Sequence, residues 1–89
     1  MKIRYSPAII KKLKKLDVRI RKSFKERIEL FEKDPLSPQL HNHDLRNEYE
    51  GFKSINITTD YRAIYRETTI GEETFIYFTF FGTHKELYG

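Results

Sequence analysis

At 89 residues the chain has room for one domain, spanning 1–89, around one modest core, and with no cysteine it offers neither a disulfide framework nor a thiolate metal site. Its apolar runs fall far short of the roughly 20 residues that cross a bilayer, and it opens on no apolar segment of the secretory kind, so a soluble, cytoplasmic protein is expected. The formal net charge of +4 is unevenly spread: residues 1–33 carry 12 Lys/Arg against 4 Asp/Glu, whereas residues 34–89 carry 5 against 9, and a one-sided basic field attracts polyanions.

The first element is a short strand, because Lys2 and Arg4 alternate with Ile3 and Tyr5. Ser6 then reads as a helix N-cap with Pro7 at the first helical position. Ile9, Ile10, Leu13 and Leu16 mark one face of that helix, and Lys11, Lys12, Lys14 and Lys15 surround the other. Asp17 can cap a second helix, in which Ile20, Phe24, Ile28 and Phe31 recur at helical spacing. Pro35 disfavours helical geometry at Asp34 and ends it. A helical hairpin with a basic outer surface results.

The next eighteen residues, "DPLSPQLHNHDLRNEYEG", keep no period and contain His41 and His43. A loop of that length within a small domain tends to carry function. A β-meander follows: Phe52–Thr58, a turn at Thr59-Asp60, Tyr61–Glu67, a turn containing Gly71, and Thr74–Phe81. The last strand is apolar on both parities, as a central strand covered on both faces would be. The order predicts an α+β domain, β-α-α-β-β-β, in which the helical hairpin packs on one face of a twisted antiparallel sheet. The other face stays partly open, with the long loop on its rim.

His41, His43, Asp60, Arg62, His84 and Tyr88 are the candidates for chemistry, with Lys53 and Asn56 nearby. Histidine titrates near neutral pH and suits proton transfer. Two histidines and a carboxylate can also hold a divalent metal, although His41 and His43 lack ordered helical spacing. Asp60 is also an ordinary turn residue, and Tyr88 an ordinary anchor for the tail.

"LHNHDL", "GFKSINITTDYRAIY" and "FGTHKELYG", in that order after a basic helical hairpin, resemble the RelE/ParE superfamily of bacterial toxins, in particular the YafQ-like branch of RelE-type mRNA interferases. The resemblance implies a type II toxin–antitoxin toxin that cuts messenger RNA on the ribosome without a metal or other cofactor. It carries the family's loop histidine onto His43, its aspartate onto Asp60, its tail histidine onto His84 and its closing aromatic onto Tyr88. Arg62 falls where the wider RelE group keeps a catalytic arginine, and Lys53 lies near a functional lysine of that group. Where the YafQ-like branch has a further active-site histidine this chain has Asn56, which can hydrogen-bond but exchanges no proton at neutral pH.

In the cleavage so implied, a base takes the proton of the 2′-OH, an acid protonates the departing 5′ oxygen, and cations steady the phosphate. His84 is the preferred acid, and either Asp60 or His43 the base. Arg62 and Lys53 would hold phosphate, and Tyr88 would stack a base or donate its hydroxyl. Lys11, Lys12 and Lys15 would grip ribosomal RNA phosphates. The partners implied are a cognate antitoxin, the ribosome and its message, with no membrane; a monomer suffices for the free form. Two other classes remain: a ParE-like toxin or binding module directed at DNA gyrase, and a plain nucleic-acid-binding domain served by the basic hairpin alone.

Overall fold

A computed structural model describes residues 1–89. Strand β1 spans Lys2–Tyr5, helix α1 Pro7–Lys15 and helix α2 Val18–Lys33; β2 spans His43–Asp44, β3 Lys53–Asn56, β4 Tyr61–Ile70 and β5 Glu73–Thr83, and a last helix α3 covers His84–Tyr88. The sheet order is β1-β5-β4-β3-β2. No helix is long and apolar enough to cross a membrane.

The α+β architecture and the helical hairpin are as the sequence predicts, but the sheet is mixed. β1 runs parallel to β5, Ile3 beside Ile76 and Tyr5 beside Phe78, while the other pairings are antiparallel. A helix begins directly after β1, so no tight turn folds the chain back as an antiparallel hairpin, and the neighbour of β1 is a strand distant in the chain. Ser6 locks that junction. Its N–H donates to the Phe78 carbonyl at 2.9 Å, its hydroxyl donates to the Thr79 carbonyl at 2.8 Å, and its Oγ accepts the Ile9 N–H at 3.2 Å as the cap of α1. Asp17 caps α2 by accepting the Arg19 N–H at 2.7 Å.

The core lies between the hairpin and one sheet face. Phe24, Ile28 and Phe31 of α2 and Ile9 of α1 meet Ile55, Ala63, Tyr65, Ile76, Phe78 and Phe81. Leu13 of α1 and Leu16 just after it join the core, but Ile10 is nearly half exposed and belongs to the outer flank. Leu40, from the long segment after α2, is wholly buried in the same core. That segment is therefore no free loop: it holds a 3-10 turn at Pro38–Leu40, the two residues of β2, and a second 3-10 turn at Asn47–Tyr49.

A bulge in β5 sets the far face. Ile64 pairs with Phe80 and Tyr65 with Phe78, so Thr79 is the unpaired extra residue. A one-residue insertion exchanges the two faces of a strand. Ile76 and Phe78 point to the core before it, Phe81 does so after it, and Phe80 and Gly82 are turned to the far face. The expectation that both faces of this strand are covered therefore fails. Phe75, Tyr77 and Phe80 are 37%, 42% and 40% exposed.

Candidate active site

The far face and the rim of the sheet form a cavity of about 280 Å³ lined by His41, His43, Leu45, Ser54, Asn56, Arg62, His84 and Tyr88. A larger depression of about 660 Å³ lies between α2 and the β3–β4 turn, with Arg27 and Asn56 on its wall. It contains no histidine, and its Arg27 is engaged with Gln39 at 2.9 Å. Glu26 is the titratable acid on its wall, whereas the smaller cavity gathers three imidazoles together with a guanidinium.

The local fold brings His43 in through β2, whose pairing sets it opposite Ser54. The segment is tied down by Asn42, which accepts the Tyr65 hydroxyl at 3.0 Å and donates through Nδ2 to the Pro35 carbonyl at 2.9 Å. Burial pushes the Tyr65 hydroxyl up to about 12, opposed in part by the bond to Asn42, so it remains a donor across the neutral range. His41 sits at φ 47, in the left-handed region that non-glycine residues seldom occupy. This turn places the His41 carbonyl 2.8 Å from His43 Nδ1. A carbonyl can only accept, so Nδ1 carries a proton and Nε2 of the neutral ring keeps its lone pair.

His84 enters from the other side as the first residue of α3, and its backbone N–H donates to the Asp60 carbonyl at 3.1 Å. Its ring lies 4.7 Å from that of Tyr88, the i,i+4 neighbour on the same helix face. Five residues do not hold a helix by themselves. This one is held by a capping box, in which Thr83 Oγ1 accepts the Glu86 N–H at 3.1 Å and Glu86 Oε1 accepts the Thr83 N–H at 2.8 Å. Lys12 Nζ lies 3.1 Å from the same Glu86 oxygen, and the Tyr49 hydroxyl donates to the Leu87 carbonyl at 2.8 Å. A Cβ at Gly82 would come within 2.9 Å of Lys12 Nζ, so a side chain there would displace the ion pair.

The Glu86 carboxyl is held below its ordinary value of 4.5 by the Thr83 N–H first and by Lys12 next. A carboxylate with a lowered folded-state value stabilises the fold fully above its unfolded value and loses that contribution as pH falls through the lowered one. In thermal melts from about pH 3 to 7, Glu86→Gln should flatten the acid-side fall in Tm relative to the wild type. An unchanged acid limb would remove Glu86 and Lys12 as the clamp on α3. The effect should be modest, because both groups are partly exposed and screened.

Arg62 stands opposite Asn56 across the β3–β4 pair. Its Nη1 donates to the carbonyls of Thr58, Thr59 and Tyr61 at 3.0, 2.9 and 3.2 Å. The guanidinium thus fixes the turn while lining the cavity. Ser54 Oγ and Asn56 Oδ1 are buried and have no hydrogen-bond partner within the protein; groups of that kind at a cavity wall are ready for a ligand.

Of the residues singled out in the sequence, the cavity gathers His41, His43, Asn56, Arg62, His84 and Tyr88. Asp60 does not line it: its side chain is exposed, and its contribution is the backbone carbonyl that receives His84. Lys53 has the parity of Ile55 and Ile57, away from the cavity, and lies 3.8 Å from Glu67. Lys11 and Lys15 are exposed on α1, whereas Lys12 is engaged with Glu86. Ser54 and Asn42 were missed; Ser54 shares the parity of Asn56, which is the signal that marks it.

The family model for the bacterial toxin YafQ of type II toxin–antitoxin systems matches residues 1–89. No curated protein matches the sequence. Among solved structures, the fold is similar to a YoeB/ParE toxin from Agrobacterium tumefaciens, at a TM-score of 0.74 and 20% identity over 94% of this chain and 99% of that one. It is similar to YafQ from E. coli strain BL21(DE3), at 0.69 and 20% identity over 99% and 98%. It is also similar to a chain of the RelB-RelE antitoxin–toxin complex from Methanococcus jannaschii, at 0.66 and 22% identity over 94% and 93%.

Proposed function

The chain belongs to the YafQ family of bacterial toxins of type II toxin–antitoxin systems, and from that premise we propose that it is a metal-independent endoribonuclease that cuts messenger RNA on the ribosome. The observation that carries the reading is the convergence of His43 and His84, from opposite sides, on one cavity that also holds Arg62. His43 is the base: with Nδ1 committed to the His41 carbonyl, its Nε2 can take the proton of a ribose 2′-OH. Asp60, the other candidate base, has its carboxylate outside the cavity and acts through its carbonyl.

As the 2′ oxygen bonds to phosphorus, the bond from phosphorus to the 5′ oxygen breaks, and His84 supplies the proton that the leaving oxygen needs. The products are a 2′,3′-cyclic phosphate and a 5′-hydroxyl. Arg62 stabilises the charge on the phosphoryl oxygens, since its Nε and Nη2 make no hydrogen bond within the protein. Asn56 Oδ1 accepts from a ribose hydroxyl, the Ser54 hydroxyl donates to ribose or phosphate, and Tyr88 stacks a base. Lys11 and Lys15, with their neighbours on the hairpin, hold ribosomal RNA phosphates. Lys12 is instead assigned to holding α3. A cognate antitoxin is the protein partner, as RelB is for the RelE relative.

Purified protein added to a translation extract should cut a ribosome-bound message, leaving 5′-hydroxyl ends. Intact message would overturn the nuclease reading. Inhibition of gyrase supercoiling in its place would establish the ParE-like alternative.

A further inference from the structure

The exposed half of the far sheet face is an unusual surface for a protein whose core lies on the other side. Phe75, Tyr77 and Phe80 project from β5 and are each about two-fifths exposed. The register places a cation beside each of the first two: Lys2 next to Phe75, Arg4 next to Tyr77, and Arg66 next to Tyr77 from the other flank. Glu73 is the acid on this stretch of β5, at its far end, 3.9 Å from Lys2. Arg66 lies 4.6 Å over the Phe52 ring.

From Phe80 a chain of aromatic contacts leads on into the cavity. Phe80 is 5.6 Å from Tyr49 and 6.0 Å from Phe52 between ring centroids, Tyr49 is 5.6 Å from Tyr88, and Tyr88 is 4.7 Å from His84. Five residues of strand from Phe75 to Phe80 add about 16 Å of track, enough for several nucleotides.

We propose that this face is a stacking platform for single-stranded RNA, holding the message beyond the nucleotides that occupy the cavity; the proposal rests on the nuclease reading. Aromatic side chains on a sheet surface stack unpaired bases, and interleaved arginines and lysines meet the phosphates between them. The charge pattern selects this occupant over an apolar helix of a protein partner, because an apolar helix would leave Arg4 and Arg66 beneath it without counter-charges. It also explains why β5 is aromatic on the face that the hairpin does not cover. Selectivity for single strands follows, since a duplex offers no unstacked bases.

The test measures binding separately from cutting. Two fluorescent oligonucleotides, 2′-O-methylated throughout so that no 2′-OH can attack, are titrated at low salt: a dinucleotide whose single phosphate sits at the cavity and a dodecanucleotide that also reaches the platform. The longer one should bind wild type at least 10-fold more tightly. Tyr77→Ala should weaken it about 5- to 100-fold, Tyr77→Phe should restore it, and Arg4→Gln should lower the salt slope by about one phosphate contact. The dinucleotide should bind all of these alike, which also reports that the variants are folded. Equal affinity of Tyr77→Ala and wild type for the dodecanucleotide, or no length dependence in wild type, would overturn the platform and leave the face to a protein partner. The same preparations, added to a translation extract, test the other reading: cut message with no length dependence removes the platform alone, and length-dependent binding with intact message removes the nuclease alone.

Discussion

His84→Ala is expected to lower message cleavage in a translation extract by about 100-fold or more, the contribution of a well-placed general acid, while the protein stays folded. The imidazole is exposed, so its removal empties no core. The bond that seats α3 at this point, from the His84 N–H to the Asp60 carbonyl, is made by the backbone and survives the substitution. The capping box at Thr83 and Glu86 likewise uses no atom of the ring. What is lost is the one imidazole on this side of the cavity, opposite His43. His84→Gln separates protonation from hydrogen bonding, because an amide can donate a hydrogen bond to the leaving oxygen but cannot hand over its proton. It should be nearly as impaired in kcat as the alanine variant, with little change in KM. Wild-type cleavage by either variant, at wild-type thermal stability, would sink the assignment of His84 as the acid.

The same pair of variants bears on Asn56. A glutamine at 84 and an asparagine at 56 both hydrogen-bond without exchanging a proton, and the cavity presents His43 and His84 together with His41. The proposed mechanism therefore needs no histidine at 56, and the third imidazole stands at 41, where its ring is 5.0 Å from that of His43. His41 contributes its carbonyl to the orientation of His43, a role that backbone geometry performs and residue identity does not announce.

The elements that were legible in the sequence are those written in local pattern. Ser6-Pro7 and Asp17 announce the two helix starts, and the spacing of Phe24, Ile28 and Phe31 announces the buried face of α2. The elements that escaped depend on residues distant in the chain. The parallel pairing of β1 with β5 joins residues more than seventy positions apart, and nothing in Lys2–Tyr5 distinguishes a parallel from an antiparallel neighbour. The bulge at Thr79 is set by the partner strand, so Phe81 and Phe80 read from sequence as belonging to the wrong faces. The short helix α3 owes its existence to Thr83, Glu86 and Lys12 jointly; five residues of "HKELY" have too little intrinsic propensity to predict it. Placement at the cavity follows the same division. His43, Arg62 and His84 stand in contiguous motifs and line it, whereas the separation of Asp60 and Lys53 from it is a matter of side-chain direction.

Phe78→Ala is expected to destabilise the fold by about 3–5 kcal/mol, the usual loss for a large aromatic removed from a packed core. Phe78 is wholly buried, and its ring is surrounded by Tyr65 at 5.2 Å, Phe31 at 5.6 Å and Tyr5 at 5.8 Å between centroids. Those three neighbours come from β4, α2 and β1, so the void left by the ring touches three elements at once and none can close it alone. The Phe78 carbonyl also receives the Ser6 N–H at the junction of β1 and α1; that bond survives the substitution only if the strand keeps its place. Small domains are stable by about 5–15 kcal/mol, so the variant should unfold at a much lower urea midpoint with an unchanged slope. Phe75→Ala, three residues away on the same strand but on the exposed face, should cost less than about 1 kcal/mol. A comparable loss at both positions would mean that the far face is packed as tightly as the core. The contrast between the two therefore tests the face assignment on which both the cavity and the aromatic row depend.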